Sequence, residues 1–224
     1  MEKSILILSG GLDSTVSSFI AKEKTEPILA LTFDYGQRAA RREIEASSKI
    51  AGKLGVPHRV MSLGWLAEIT KSPLVNREQK IPQLKEQDLD NINRSRETAR
   101  AVWVPNRNGV FLNIAAAFAE ALDASLLVTG FNAEEGITFP DNSAPFGRAA
   151  DDFFWFSTLN RTRVISFTQG MTKVEIADKG KRLGVDFAEI WFCYEGNEKP
   201  CRQCESCQRS LRAIRETTPL RETR

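Results

Sequence analysis

Apolar residues in the first quarter of the chain fall into short unbroken runs, separated by stretches whose apolar positions recur at helical spacing. Ser4-Ile5-Leu6-Ile7-Leu8 and Pro27-Ile28-Leu29-Ala30-Leu31-Thr32-Phe33 have the near-continuous hydrophobicity of strands covered on both faces. Thr15 to Lys22 can form a helix between them. Arg41 to Leu54 carries Ile44, Ile50, Ala51 and Leu54 at helical spacing until Gly55 stops it. His58 to Leu63 is predicted as a third strand. Val110 to Leu122 reads as a buried helix, and Ala124 to Phe131 as a strand ending at Thr129-Gly130. The order β-α-β-α-β, followed by helix and strand, predicts a doubly wound, mainly parallel α/β sheet whose ligands bind beyond the carboxyl ends of the strands.

Two segments break the pattern. Pro73 to Pro105 is charged and poor in strand signals, and so long an insert inside a compact domain reads as a lid over the site. After Ile190 the text turns rich in cysteine and arginine, without strand signals. The expected organisation is a nucleotide-binding α/β domain over 1–190, with a lid at 73–105, and a small C-terminal region over 191–224.

With 224 residues, 42% of them hydrophobic, the chain can bury a core without disulfides. Lys and Arg number 31 against 29 Asp and Glu, and a net charge of +2 argues against a polybasic nucleic-acid or membrane-surface binder. No apolar run approaches the roughly 20 residues of a membrane helix, and the run after Met1-Glu2-Lys3 is too short for an export signal. A cytoplasmic location is expected, where clustered thiols read as metal ligands before disulfides.

Ser9-Gly10-Gly11-Leu12-Asp13-Ser14 joins the first strand to the first helix, where backbone N–H groups and the helix dipole make an anion site. Out of that context it would be an ordinary turn capped by Asp13 or Ser14. No lysine follows a second glycine, so it is not a Walker A loop. The hexapeptide resembles the PP-loop of the ATP pyrophosphatases, which cleave ATP between its α- and β-phosphates. Cys193, Cys201, Cys204 and Cys207, all the cysteines of the chain, are spaced C-x7-C-x2-C-x2-C. Four thiolates so placed can close a structural tetrahedron around Zn²⁺, with an iron–sulfur cluster as the competing reading. Tyr35 and Arg38 follow the second strand at the edge facing the crevice, suited to base stacking and phosphate contact. Arg107, behind Pro105, is suited to carboxylate or phosphate binding. His58, the one histidine, reads as structural.

Together these segments resemble the 7-cyano-7-deazaguanine synthases, the QueC family. The resemblance is carried by Leu8 to Thr15, Thr32 to Arg38, Val104-Pro105-Asn106-Arg107-Asn108, Phe139-Pro140-Asp141, Lys173-Val174-Glu175-Ile176 and the cysteine cluster. It departs from the common pattern at Asn142, where many bacterial members carry cysteine, at Ser166 to Gln169, and in a Cys193–Cys201 spacing one residue shorter than in many relatives.

The resemblance implies a Rossmann-like PP-loop enzyme that converts 7-carboxy-7-deazaguanine, ammonia and ATP with Mg²⁺ to the nitrile used in queuosine and archaeosine synthesis. It also implies one structural zinc per chain and a homodimer. ATP would lie against Leu8, Ser9, Gly10, Gly11, Asp13, Ser14, Thr15, Phe33, Tyr35, Arg38 and Gly130. Asp13, Arg107 and Lys173 would serve catalysis. Arg107, Asn108, Phe139 and Asp141 would hold the acid, with the Asp141 carboxylate a fitting acceptor for the N–H pair of a guanine-like edge. The rival readings are a PP-loop ligase for another carboxylate or a macromolecule, a tRNA-thiolating enzyme, and a nucleotide-binding module without turnover. No membrane or stable nucleic-acid partner is expected.

Overall fold

A computed structural model describes residues 1–217, so the last seven residues of the expected C-terminal region lie outside the described ones. In chain order, β1 (Lys3–Ile7) leads through α1 (Leu12–Lys24) to β2 (Glu26–Asp34), α2 (Ala40–Leu54), β3 (His58–Ser62) and the short α3 (Gly64–Ile69). The long segment that follows contains a 3-10 turn at Glu86–Asp88 and α4 (Ile92–Ala101). Then come α5 (Arg107–Ala121), β4 (Leu126–Thr129), α6 (Glu135–Thr138), a 3-10 turn at Pro140–Asn142 and α7 (Ala144–Ser157). β5 (Arg163–Ser166), α8 (Lys173–Arg182) and α9 (Glu205–Arg215) complete the chain.

The sheet runs β3-β2-β1-β4-β5 with every pairing parallel, so β1 sits at the centre and the strand order reverses between β1 and β4. Successive side chains of a strand point to opposite faces, and Ile5 and Leu6, both fully buried, enter different cores. Ile5 joins Leu112, Ala115 and Ala119 of α5 and Phe154 of α7, while Leu6 joins Val16 of α1, Ile50 of α2 and Ile176 of α8. This is the doubly wound arrangement, with its ligand crevice at the switch point. No described helix is long and apolar enough to cross a membrane.

The first three strands and the helices between them lie where the apolar runs predict. The helix expected from Val110 starts at Arg107 instead, because Asn106 takes a left-handed conformation (φ 50°) and turns the chain straight into it. β5 and α7 give no clear signal in the sequence. β5 has four residues, two of them apolar, and α7 fully buries only Phe154 while Phe153, Trp155 and Phe156 stay exposed, so no apolar stripe repeats.

The segment from 73 to 105 is fastened along much of its length to α9 and the cysteine loop. The Leu84 N–H donates to the Gln203 carbonyl at 2.9 Å, Arg212 holds Asp90 with two bonds of 2.9 and 3.0 Å, and Arg209 donates to Leu89 O at 3.1 Å and to Ser95 Oγ at 2.8 Å. Thr98 adds a hydrogen bond to buried Glu205.

Candidate active site

The loop after β1 closes on itself before it closes on anything else. Ser9 Oγ lies 2.9 Å from Ser14 Oγ, and the Ser9 N–H donates to Ser14 Oγ at 3.2 Å. Helix α1 follows with Gly11 as N-cap and no side-chain cap, so no side chain competes for the N–H donors of its first turn, which a bound anion can take. Two glycines permit the geometry. Gly10 has φ +75°, and a Cβ there would stand 2.8 Å from Ala46 Cβ of α2. Gly130, at the end of β4, would put a Cβ 2.5 Å from the Ser14 nitrogen, so only glycine lets that strand end pass beside the loop.

Above the loop lies a cleft of about 240 Å³ at the carboxyl edge of the sheet. Of the residues singled out in the sequence, Leu8, Ser9, Gly11, Asp13, Ser14, Phe33, Tyr35 and Gly130 line it, as do Arg107, Asn108, Phe139, Asp141 and Lys173. Gly10, within the loop, and Thr15, in α1, do not line it, and Thr15 is fully buried. Arg38 is a correction to the expected phosphate contact. It lies outside the cleft, its guanidinium held by Glu195 at 3.0 Å and by the carbonyls of Asn76 and Gln79, so it secures the long segment to the cysteine loop. Thr32 Oγ1 donates to the Leu8 carbonyl at 2.6 Å and lies 2.8 Å from His58 Nε2 on the neighbouring strand, a structural position for the imidazole.

Lys173 is brought to the loop by a capping box. The Glu175 N–H donates to Thr172 Oγ1 at 3.3 Å and the Thr172 N–H to Glu175 Oε2 at 2.8 Å, which starts α8 at Lys173. The Lys173 ammonium donates to Asp13 and lies 2.7 Å from Glu135 Oε1. Burial opposes its charge, yet the two carboxylates outweigh burial and push its pKa up. Burial raises the Asp13 carboxyl to about 6 against the pull of Lys173. Asp13 Oδ1 is buried without a partner, and with Glu135 it offers the hard oxygen donors that suit Mg²⁺.

In the same cleft, Arg107 donates to Tyr35 Oη at 3.1 Å, and its Nε is buried without a partner. Burial works against the guanidinium charge, but Tyr35 and Asp141 hold its pKa above the usual value, and it stays cationic. Burial raises the Asp141 carboxyl, with Arg107 opposing. Asn108 Nδ2 donates to the Asp141 carbonyl at 3.2 Å and so ties the start of α5 to the turn after Phe139. Sequence reasoning missed Glu135, Trp103 and Tyr194, which also line this cleft. Glu134 and Glu135 carry one usable signal, two carboxylates just past the carboxyl end of a strand. Trp103 and Tyr194 carry none.

The four cysteine Sγ atoms lie within 4.8 Å of one another and can hold a metal ion. Cys201 Sγ and Cys207 Sγ are 3.8 Å apart, the edge expected of a tetrahedron with about 2.3 Å metal–sulfur bonds. Backbone N–H groups of Glu195 and Cys201 donate to Cys193 Sγ at 3.3 Å each, and that of Cys204 to Cys201 Sγ at 3.3 Å, bonds that favour thiolates. Beyond lining the cleft with Tyr194, this region is bonded to the active-site elements. The Trp191 N–H donates to the Gly10 carbonyl at 2.8 Å, and Arg209, two residues after Cys207, pairs with Glu134 at 3.3 Å while Glu134 accepts the Lys173 N–H at 2.7 Å.

A parallel switch-point sheet carrying this phosphate loop and a buried lysine above it defines a nucleotide-using enzyme of the PP-loop class. The family described as "Queuosine biosynthesis protein QueC" matches residues 3–218, and the chain belongs to it. A 7-cyano-7-deazaguanine synthase of Pelotomaculum thermopropionicum is 52% identical over 95% of this chain and 96% of its own. Another, of Bdellovibrio bacteriovorus, is 50% identical over 95% of this chain and 93% of its own. Among solved structures, the NMN synthetase of Francisella tularensis aligns at 15% identity and a TM-score of 0.48, over 90% of this chain and 70% of that one.

Proposed function

We propose that the protein is an ATP-dependent ligase that converts 7-carboxy-7-deazaguanine and ammonia to 7-cyano-7-deazaguanine. One observation carries the reading: a single cleft is lined by an anion-binding loop and Lys173 and also by Arg107 and Asp141. The near full-length identity to synthases of that name supports the choice of substrate.

A carboxylate accepts ammonia only after one oxygen becomes a good leaving group. Its attack on the α-phosphate of ATP forms an acyl adenylate and expels pyrophosphate, which the N–H groups of the loop and α1 receive. Ammonia displaces AMP to give the amide. The amide oxygen then attacks a second ATP, again expelling pyrophosphate, and loss of AMP together with both nitrogen-bound protons leaves the nitrile. Lys173 and the loop donors stand ready for the charge that gathers on phosphate, without reorganisation at that moment. Asp13 and Glu135 hold Lys173 in place and would hold Mg²⁺, which when bound spreads the triphosphate charge. Arg107 faces the acid and Asp141 its N–H edge.

The cysteine region, proposed as a unit over 191–224, takes zinc rather than an iron–sulfur cluster, because the reaction moves no electrons. We place the enzyme in the cytoplasm, where four clustered cysteines stay reduced and available as metal ligands. We also read it as a homodimer, supported by the exposed apolar side chains at the end of α7 and just after it, Phe153, Trp155, Phe156 (88% exposed) and Leu159 (96% exposed). A net charge of +2 and four cysteines that suit one metal disfavour the tRNA-thiolating alternative. Incubation with the acid, ammonium and Mg²⁺-ATP tests the function. Mass spectrometry is expected to show the nitrile, and pyrophosphate release with no change in the acid would reject this substrate.

A further inference from the structure

Among the described residues four carboxylates line the cleft, and three have a use: Asp13 and Glu135 hold Lys173, and Asp141 is assigned to the N–H edge of the acid. The fourth is Glu43. It stands in the first turn of α2, where its backbone carbonyl lies 2.9 Å from the position a Cβ on Gly10 would take, so it flanks the phosphate loop.

The side chain of Glu43 is held by a neutral partner. Buried Gln37 accepts the Tyr35 N–H at 2.9 Å through Oε1 and donates through Nε2 to the Phe33 carbonyl at 3.0 Å and to Glu43 Oε2 at 2.8 Å. That amide is fixed from three sides. It engages one oxygen of Glu43 and leaves the other without a hydrogen-bond partner among the described residues, and no described lysine or arginine forms an ion pair with the carboxylate. Asp13 and Glu135 share Lys173 instead. Burial raises the Glu43 carboxyl, with Gln37 and Arg107 opposing. A carboxylate withdrawn from water and left without a cation is costly unless it gains a cation or a proton, and amide formation from ammonium brings both.

We propose that Glu43 is the seat for ammonium and the general base of amide formation. The proposal rests on the functional reading above and names the residue that handles the nitrogen substrate. An ammonium ion is about the size of a water molecule, so a cleft of about 240 Å³ admits it without rearrangement. The flank of the loop suits such a base, because in the adenylate a single oxygen separates the acyl carbon from the α-phosphate. Glu43 takes one proton from ammonium, and the lone pair so freed forms the C–N bond at that carbon. The C–O bond to AMP breaks with its electron pair on the AMP oxygen. The excess proton on the new amide nitrogen passes to water, as does the proton on Glu43 before the next turnover.

Three measurements on wild type, E43Q and E43D test this. They are pyrophosphate released in one turnover with ATP and the acid but no ammonium, amide and nitrile formation against ammonium concentration, and capture of the adenylate by hydroxylamine. Hydroxylamine is neutral near pH 7 and needs no seat for a cation. E43Q is expected to keep the first pyrophosphate within about twofold and hydroxamate formation within about fivefold, while kcat/KM for ammonium falls about a hundredfold, the scale of losing a general base. E43D, which keeps the charge at shorter reach, should recover part of that loss. E43Q is nearly isosteric and keeps an oxygen for Gln37, and E43D carries the same comparison if E43Q melts low. Unchanged ammonium kinetics in E43Q, or parallel loss of the ammonium and hydroxylamine reactions, overturns the seat alone. Loss of the first pyrophosphate, or a raised KM for ATP, places Glu43 on the nucleotide and overturns it too. No acid-dependent pyrophosphate from wild type overturns the functional reading and the seat with it.

Discussion

The two proposed ends of the cleft, one for phosphate and one for the ring, are built in opposite ways. The phosphate end is built on six consecutive residues, Ser9 to Ser14, that span the junction of β1 and α1, steadied by Ser9–Ser14 contacts within the loop, with Gly130, Lys173 and Glu135 added from afar. The ring end has no such nucleus: Trp103 and Arg107 come from the entry to α5, Phe139 and Asp141 from the turn after α6, and Tyr194 from the cysteine loop. A site made of neighbours in sequence survives as long as its turn does. A site made of three separate segments depends on whatever holds those segments together, here Asn108, Arg38 and the cysteine cluster that can hold a metal.

The largest expected effects lie at the phosphate end and should be blind to the acid. Asp13→Ala removes the partner of Lys173 and is expected to cut pyrophosphate release by about a thousandfold, and Ser9→Ala by about a hundredfold, the range for losing preorganised contacts to a developing charge. A coupled assay of pyrophosphate on protein of unchanged thermal stability checks both. Wild-type rates would dissolve the distinction between the two ends. The ring end should respond selectively. Asp141→Asn replaces an acceptor-only group with one that also presents a donor, so KM for the acid is expected to rise about tenfold to a hundredfold while KM for ATP moves less than about twofold. Equal changes in both would mean that the cleft does not divide as described.

The same contrast governs what the sequence discloses. The loop is legible because strand, glycines and helix are contiguous, and the cysteines because their spacing is itself the ligand geometry. The apolar runs disclose β1 and β2 because both of their faces are buried, while edge strand β5 and half-exposed α7 leave almost no pattern. Lys173 is readable as a helix start, but its ion pairs to Asp13 and Glu135 span 160 and 38 positions respectively, and no local pattern encodes such a contact. Arg38 shows the reverse error. An arginine beside the crevice in sequence is turned away by Glu195, which lies 157 positions later.

Two smaller effects sharpen the dependence of the ring end on its supports. Cys204→Ser should lower the bound zinc well below one per chain and the Tm by about 5–10 °C, given a loss of a few kcal/mol at a structural site and about 2–4 °C per kcal/mol at this size. Elemental analysis and a thermal melt measure both. Iron with labile sulfide in wild type would replace zinc in the account, and an unchanged melt would remove the metal from the scaffold. The lid reading of 73–105 predicts the mildest change. Trypsin cleavage at exposed Arg77 and Lys80 should slow when ATP and the acid are both present, and equal cleavage with and without ligands would make that segment a fixed wall.

One cleft is held to perform two adenylations, since acid and amide each present a carbonyl oxygen to the α-phosphate from the same ring-end seat. The direct measurement is AMP released per molecule of 7-cyano-7-deazaguanine formed, followed by quantitative mass spectrometry with the amide tracked in time. The account predicts two AMP per nitrile and an amide that rises and then falls. A single AMP per acid consumed, with the amide accumulating as the end product, would contradict it.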